Sequence, residues 1–247
     1  MRLNKKIFNQ FRSKVGQVAL LIDPDKTNTK TALQPLLKKA EFAKIDYVFV
    51  GGSSVASKDF KKTITIIKSL TSLPIIIFPG DYQQISNDAD ALLYLSLLSG
   101  RNPEYLIGQH VRSAQEVYNL TIEVIPTAYI LMDGGKQTAV SYISQTVPIA
   151  KENKSIAIKT AIAGVLQGKQ AVFFDAGSGA KHSVEPDLIQ QVVDTLDVIT
   201  IVGGGVRSIE QLNAFKVAGA NVIVIGNKIE EDIDFLLDVQ MFKAQYS

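Results

Sequence analysis

The sequence has no cysteine and only two histidines, His110 and His182, among its 247 residues. Without cysteine, disulfide bonds and thiolate metal sites are excluded, and the composition fits the reducing environment of the cytoplasm. Zinc sites built on histidine usually need more histidines than this chain has, so such a site is nearly excluded. We therefore expect a cytoplasmic protein.

Charge of one sign and long apolar runs are also scarce. The formal net charge of +2 is too small and too diffuse to indicate nucleic-acid binding, and no RNA- or DNA-binding motif is present. No apolar run is long enough to span a membrane, and no secretory apolar segment follows the basic N-terminus. The hydrophobic fraction of 46% is nonetheless enough for a large core.

Residues 1–14 carry basic side chains and no acidic one. Within this segment Leu3, Ile7, Phe8 and Phe11 fall on one face of a helix. This pattern predicts a short helix that caps the floor of the fold. The alternative is a transient contact with a membrane surface, because basic amphipathic helices bind there.

Eight apolar runs alternate with helix-like segments along the chain. The runs are continuous, which is typical of parallel strands that are covered on both faces. The predicted strands are 18–22, 47–50, 75–78, 91–95, 128–131, 171–174, 198–202 and 222–225. The predicted helices are 31–44, 57–70, 103–119, 155–167, 186–196 and 209–218. This order predicts an α/β fold, a single (β/α)8 TIM barrel over residues 1–247.

The connection between the third and fourth predicted strands is short for a crossover helix. A doubly wound open sheet is the alternative fold, but the turn after the first strand lacks the G-x-G-x-x-G fingerprint. Active sites of TIM barrels lie at the C-terminal ends of the strands. Polar residues and glycines occupy these ends at Asp23, Ser53, Gly80, Ser96, Asp133, Asp175, Gly204 and Gly226.

Glycines cluster after the seventh and eighth predicted strands. Gly203, Gly204 and Gly205 follow the seventh strand, and Gly226 with Asn227 follows the eighth. Glycines let backbone N–H groups turn toward an anion, and TIM barrels favour phosphate sites in these two loops. The pattern therefore predicts binding of a phosphorylated small molecule.

The loop after the sixth strand combines glycines with a carboxylate. Gly177, Ser178 and Gly179 can approach a ligand closely, and Asp175 ends the strand. A carboxylate beside a phosphate-binding loop can accept a hydrogen bond from a substrate hydroxyl and then its proton. The alternative is an aspartate that only caps a turn.

Two other strand ends offer candidate ligands. Asp23 ends the first strand and Ser53 follows the second, and Mg²⁺ commonly takes one or two protein oxygens together with substrate phosphates. Arg101, after the fourth strand, is a candidate for a diphosphate, or it forms a salt bridge at a helix start. The segment 132–142, which contains two glycines and Lys136, is typical of a binding loop.

These segments occur together and in order across most of the chain: LIDPDK, VGGSS, FPGD, LLSGRNPEYLIGQH, PTAYILMDGGKQTAVSYIS, FFDAGSGA, VGGGVRS and VIGNKIEE. Taken together they resemble the geranylgeranylglyceryl phosphate synthase family and its heptaprenylglyceryl phosphate synthase relatives. The resemblance implies a Mg²⁺-dependent prenyltransferase with a TIM-barrel fold. Such an enzyme joins the 3-hydroxyl of sn-glycerol 1-phosphate to geranylgeranyl diphosphate, a C20 donor, through an ether bond.

The resemblance also implies roles for individual residues. It gives Mg²⁺ to Asp23 and Ser53, and the proton of the glycerol hydroxyl to Asp175. It gives glycerol 1-phosphate to Phe173, Phe174, Asp175, Ala176, Gly177, Ser178, Gly179, Gly204, Gly205, Gly226 and Asn227. The prenyl chain is expected in an apolar trench between the second to fourth strands and the outer helices.

The chain departs from the family at one motif. The family commonly has Tyr-Leu-Glu where this chain has Phe173, Phe174 and Asp175. The tyrosine hydroxyl is therefore lost as a donor, and the shorter aspartate must reach further toward the glycerol hydroxyl. Both changes weaken the transfer of roles to these three positions.

Two other functions stay open at this point. A sugar-phosphate isomerase of the same fold would need a second acid or base, for which Asp133 is available. A non-catalytic barrel would keep the phosphate site without turnover. For all three functions we expect a homo-oligomer, a dimer or a hexamer, because symmetric self-association is common.

Overall fold

The computed structural model describes residues 5–52 and 57–246. Eight parallel strands form a closed barrel in chain order, and β8 pairs with β1. The strands are β1 (Gln17–Ile22), β2 (Tyr47–Val50), β3 (Ile75–Ile77), β4 (Ala91–Leu97), β5 (Glu123–Leu131), β6 (Ala171–Asp175), β7 (Ile199–Gly203) and β8 (Val222–Ile225). The predicted (β/α)8 barrel is confirmed.

Helices surround this barrel over the described residues. They are α1 (Lys6–Ser13), α2 (Lys30–Phe42), α3 (Ser57–Leu70), α4 (Gln109–Tyr118), α5 (Ala139–Ser144), α6 (Lys154–Leu166), α7 (Pro186–Thr195), α8 (Ile209–Val217), α9 (Asn227–Glu231) and α10 (Phe235–Ala244). A π-helical turn, Glu104–Gly108, precedes α4 within the predicted helix 103–119. No helix in the described part of the chain is both long and apolar enough to cross a membrane.

The strand β5 begins at Glu123 and not at residue 128 as predicted. Glu123, Pro126 and Thr127 interrupt the apolar pattern, so the sequence conceals the first half of the strand. The parallel pairing with β4 nevertheless runs from Glu123 to Tyr129. The carbonyl of Pro126 accepts the Gln170 N–H at 2.7 Å, so pairing toward β6 begins there.

Residues 78–90, between β3 and β4, contain turns and bends but no helix. The connection that the sequence shows to be short for a crossover helix therefore has none, which is a difference from a regular (β/α)8 barrel. Ile85 of this connection lines a cavity together with Leu92 of β4 and Val117 of α4. This arrangement leaves space beside the barrel that becomes part of the site described below.

The helix α1 closes the N-terminal end of the barrel, as predicted. Ile7 and Phe11 are buried, and the Phe11 ring packs edge-on against Tyr47 at 4.8 Å. The buried carboxylate of Glu123 accepts the N–H groups of Ile7 and Phe8 at 2.8 and 3.0 Å. The barrel thus takes up two of the apolar side chains that a membrane contact would use, on the side away from the strand C-termini.

Candidate active site

A cavity of about 280 Å³ opens at the C-terminal end of the barrel. Every strand contributes to its wall, either from its last residues or from the residue that follows. One residue from each strand in turn is Asp23, Gly51, Phe78, Leu97, Tyr129, Asp175, Gly203 and Gly226. The cavity therefore lies where barrel enzymes hold their substrates.

The loop after β7 turns sharply beside Asp175. Gly204 and Gly205 have φ angles of +80° and +71°, which side chains other than glycine rarely adopt. A β-carbon at Gly204 would lie 2.6 Å from Asp175 Oδ1. Only glycine lets the backbone at this position approach the carboxylate so closely. Without side chains at these two positions, the loop backbone can approach a small anion.

The side chain of Asn227 joins the loops after β6 and β8. Its Oδ1 accepts the Gly179 N–H at 2.7 Å and the Ser178 hydroxyl at 3.0 Å. Ser178, Gly179, Gly204, Gly205, Gly226 and Asn227 all line the cavity. These six residues, which we call the glycine cradle, bring together the three loops that the sequence predicted for phosphate.

Asp175 is 8% exposed and forms the floor of the cavity beside the glycine cradle. Its Oδ2 accepts the hydroxyl of Tyr129, and its Oδ1 accepts the Gly177 N–H at 2.8 Å. Burial raises the pKa of Asp175, and the two hydrogen bonds counter that effect. Burial together with the Asp175 charge raises the pKa of Tyr129 well above its usual value. The tyrosine therefore remains a donor and the carboxylate its acceptor.

Sequence reasoning missed Tyr129. Its partner lies 46 residues away, and only the register of β5 with β6 brings them together. Tyr129 pairs with Phe173, so both side chains point into the barrel, where their rings are 5.6 Å apart. Strand alternation was the signal that could have found it. Tyr129 lies two residues before Leu131, on the same face of β5, and Leu131 pairs with Asp175 at the end of β6.

Asp23 follows β1, the neighbour of β8, so it lies beside the cradle loop that carries Gly226 and Asn227. Its Oδ1 accepts the Asp25 N–H at 3.1 Å, and its Oδ2 is 4.0 Å from Lys26 Nζ. Burial raises the pKa of Asp23, which is partly countered by the Asp25 N–H. The charges of Asp25 and Glu230 also act on Asp23, but no group of three or more acidic or histidine side chains among the described residues could hold a metal ion. Ser53, its predicted companion, lies outside the described residues.

An apolar extension of the cavity runs between β4 and α4. It lies beside the β3–β4 connection, which has no crossover helix. It is lined by Tyr82, Ile85, Leu92, Tyr94, Tyr105, Gln109, His110, Ser113 and Val117. The His110 ring stacks near Tyr94 at 4.4 Å, and its Nε2 lies 2.6 Å from the Leu95 carbonyl. Burial lowers the pKa of His110, so the imidazole is neutral and donates to that carbonyl. This extension lies on the side of the barrel where the sequence predicts the trench for the prenyl chain.

Several predicted residues do not reach the cavity. Phe174 is fully buried and packs between sheet and helices, because neighbours along a strand face opposite ways. Ala176 and Gly177 shape the turn: the Ala176 N–H donates to the Gly203 carbonyl, and the Gly177 N–H donates to Asp175. Arg101 donates to the carbonyls of Leu98 and Gly100, within its own loop. Arg101 does not line the cavity.

Asp133, the candidate second acid, is exposed and does not line the cavity. Its Oδ1 accepts the Gly135 N–H at 2.8 Å, which is a local turn contact. The second acid or base that an isomerase needs is not supplied by this residue.

Comparison with known proteins identifies close relatives. Residues 11–244 match the PcrB family. The geranylgeranylglyceryl phosphate synthase of Chitinophaga pinensis is 44% identical over 241 residues, which are 96% of this chain and 95% of that protein. The synthase of Korarchaeum cryptofilum is 35% identical over 92% of both chains.

A solved structure agrees with these sequences. The crystal structure of (S)-3-O-geranylgeranylglyceryl phosphate synthase from Thermoplasma acidophilum, in complex with its substrate sn-glycerol-1-phosphate, superposes with a TM-score of 0.87. It is 32% identical to this chain, and the superposition covers 98% of this chain and 97% of that one.

Proposed function

Because the chain belongs to the PcrB family, we propose that it is a prenyltransferase that forms geranylgeranylglyceryl phosphate. The substrates are sn-glycerol 1-phosphate and geranylgeranyl diphosphate, and the products are the prenyl ether and diphosphate. One observation carries this proposal: a glycine cradle, a buried carboxylate and an apolar extension open into the same cavity. Glycerol phosphate fits the first, its hydroxyl the second and a prenyl chain the third.

The glycine cradle holds the phosphate of sn-glycerol 1-phosphate. Backbone N–H groups at Gly204 and Gly205 and the amide of Asn227 supply donors without bulky side chains. Cradle and carboxylate are adjacent, since Gly204 touches Asp175. A phosphate held here leaves the glycerol hydroxyl near the carboxylate, and this fixed geometry lowers the entropic barrier of the reaction.

In the chemical step, the 3-hydroxyl oxygen bonds to C1 of the prenyl group while the bond from C1 to the diphosphate oxygen breaks. Both electrons of the broken bond leave with the diphosphate. The hydroxyl proton goes to Asp175, which acts as general base. The raised pKa of Asp175 makes it a stronger base than an exposed aspartate, and the Tyr129 hydroxyl orients it.

Asp23 is the proposed protein ligand of Mg²⁺, with Ser53 as the second ligand expected from the sequence. A partly buried carboxylate outside any larger acidic cluster of the described residues fits a cation that takes its other ligands from water and substrate phosphates. When bound, Mg²⁺ offsets the charge of the diphosphate and makes it a better leaving group. Asp23 then determines where the diphosphate end of the donor lies.

The apolar extension between β4 and α4 holds the prenyl chain. Ile85, Leu92 and Val117 give it an apolar wall, and Tyr94 and Tyr105 add aromatic surface. We favour a C20 donor because the family relatives are named for that product.

The test is a direct assay with purified protein, sn-glycerol 1-phosphate, Mg²⁺ and radiolabelled prenyl diphosphates of several lengths. We expect prenylglycerol after phosphatase treatment, most with the C20 donor, and none when EDTA is added. Product only with another chain length would correct the donor and keep the reaction. No product from folded protein that binds glycerol 1-phosphate would favour the non-catalytic barrel.

Self-association and a cytoplasmic location stay predictions. Val111, Tyr118 and Leu166, on α4 and α6, are large apolar side chains that are 68%, 71% and 81% exposed. We propose that these exposed side chains contribute to a homo-oligomer. Analytical ultracentrifugation distinguishes a monomer from a dimer or a hexamer.

A further inference from the structure

The loop after β5, residues 133–138, is packed against the loop after β6. The Gly134 carbonyl accepts the N–H groups of Lys181 and His182 at 2.9 and 3.1 Å. A β-carbon at Gly134 would lie 2.6 Å from the Ala176 carbonyl oxygen, and one at Gly177 would lie 2.5 Å from Thr138 Cγ2. These contacts leave no gap between the two loops, so the backbone around Lys136 is fixed beside the glycine cradle.

From this loop the side chain of Lys136 reaches the glycine cradle. A β-carbon at Gly179 would lie 2.8 Å from Lys136 Nζ and 3.8 Å from Asn227 Nδ2. An ammonium and an amide group therefore converge on the same side of Gly179. Both are hydrogen-bond donors, and such a convergence is suited to an anion.

The other cations around the cavity already have acidic partners. Lys26 pairs with Glu230 at 2.8 Å. Arg207 pairs with Glu231 at 2.9 Å. Lys228 pairs with Asp232 at 3.1 Å. Their charge is therefore largely neutralised before a substrate arrives.

Lys136 differs from these three cations. Within residues 5–52 and 57–246, no carboxylate lies within 4.0 Å of its ammonium. Backbone N–H groups alone supply only partial charges, whereas a phosphate monoester carries close to two negative charges at pH 7. An unneutralised ammonium at the edge of the cradle meets that demand.

We propose that Lys136 is a substrate-binding residue that contacts the phosphate of sn-glycerol 1-phosphate. This inference rests on the proposed function and adds a side-chain cation to a site otherwise made of backbone and amide donors. It assigns Lys136 to the glycerol phosphate and not to the prenyl diphosphate, because Gly179 and Asn227 belong to the cradle and Asp23 lies in another loop.

The experiment compares Lys136→Met with Lys181→Met, a control that removes the same charge from the neighbouring loop. Lys181 is exposed, and its Cβ lies beside Gly135 and not beside Gly179. Calorimetric titration with sn-glycerol 1-phosphate gives Kd for each protein. Steady-state assays give KM for each of the two substrates. Thermal melting verifies that each variant is folded. Because Lys136 is exposed, its substitution should leave the melting temperature unchanged.

For Lys136→Met we expect Kd and KM for glycerol 1-phosphate to rise about tenfold or more, the usual loss for a charged hydrogen bond. KM for the prenyl diphosphate should stay the same, and Lys136→Arg should keep most of the affinity. Lys181→Met should bind like the wild type.

Three results would overturn the assignment. The first is an unchanged Kd in Lys136→Met. The second is an equal loss of affinity in Lys181→Met, which would indicate only a nonspecific effect of positive charge near the site. The third is a rise confined to KM for the prenyl diphosphate. Failure of the proposed function is distinguishable, since the wild-type protein would then form no prenyl ether.

Discussion

Two buried carboxylates lie at opposite ends of this barrel, Asp175 at the C-terminal end and Glu123 at the N-terminal end. They are 8% and 6% exposed, and each accepts two hydrogen bonds. Burial raises the pKa of both groups. By burial and pKa alone, the two are alike.

The difference lies in what each carboxylate faces. Asp175 lines the cavity, and its donors are a tyrosine hydroxyl and a loop N–H. Glu123 does not line the cavity, and both of its donors are backbone N–H groups at the start of α1. A perturbed pKa therefore does not mark a catalytic residue unless a substrate can reach the group. Access to the cavity distinguishes Asp175, the proposed base, from Glu123, which caps α1.

Asp175→Asn should have the largest effect. The amide cannot accept the hydroxyl proton, so we expect kcat to fall about a hundredfold to ten-thousandfold, the usual contribution of a general base. Binding of sn-glycerol 1-phosphate should persist, because the amide keeps the shape of the side chain. Single-turnover assays and calorimetry measure the two quantities. Activity close to the wild type would show that another group takes the proton.

Glu123→Ala should have the opposite effect to Asp175→Asn: it should lower the stability of the protein and leave kcat unchanged. The N–H groups of Ile7 and Phe8 would lose their acceptor, at a cost of about 2–4 kcal/mol in the free energy of unfolding. Below the unfolding temperature, kcat should be unchanged. Urea denaturation gives the stability, with Glu116→Ala, on the exposed face of α4, as the control. A stable variant with low kcat would place Glu123 in the reaction.

Tyr129→Phe sharpens the comparison at the catalytic end. The Tyr129 hydroxyl lowers the pKa of Asp175, so removing it should raise that pKa further. As the proposed general base, Asp175 would act only when deprotonated, so activity should be lost as the pH falls through its pKa. The acid limb of the profile of kcat against pH should therefore move to higher pH.

The matched control for this shift is Tyr94→Phe. It removes a hydroxyl that donates to the His110 carbonyl at 3.1 Å, elsewhere in the cavity wall. Its acid limb should coincide with that of the wild type. A shift of equal size in both variants would assign the effect to the cavity as a whole and not to the Tyr129 contact.

The barrel was largely predictable because buried parallel strands are continuous apolar runs. β2 and β8 have the predicted bounds, Tyr47–Val50 and Val222–Ile225. β5 was only half predicted, since Glu123 serves α1 and Pro126 ends the apolar pattern. Glu123, which interrupts the apolar pattern of this strand, also binds α1 at the N-terminal end of the barrel. This long-range contact has no local signal in the sequence.

Within the cavity wall, the polar residues and glycines at the strand ends were predictable, whereas Tyr129, inside β5, was not. Asp175 and the glycines were found because the C-terminal strand ends of a barrel converge. Tyr129 was missed because its role depends on the register with β6. Phe174 was included wrongly because the strand's alternation was not applied to it, and its side chain packs on the outer face.

The smallest effect should come from Arg12, which also ties α1 to the barrel. Its guanidinium bonds both oxygens of Asp197 at 2.7 and 2.9 Å, but the Asp197 side chain is 86% exposed. Exposed ion pairs contribute about 0–1 kcal/mol, because water competes and salt screens them. Arg12→Met should therefore lower the free energy of unfolding by less than about 1 kcal/mol, and high salt should abolish the difference. A loss as large as that of Glu123→Ala would mean that the exposed ion pair holds α1 as strongly as the buried carboxylate does.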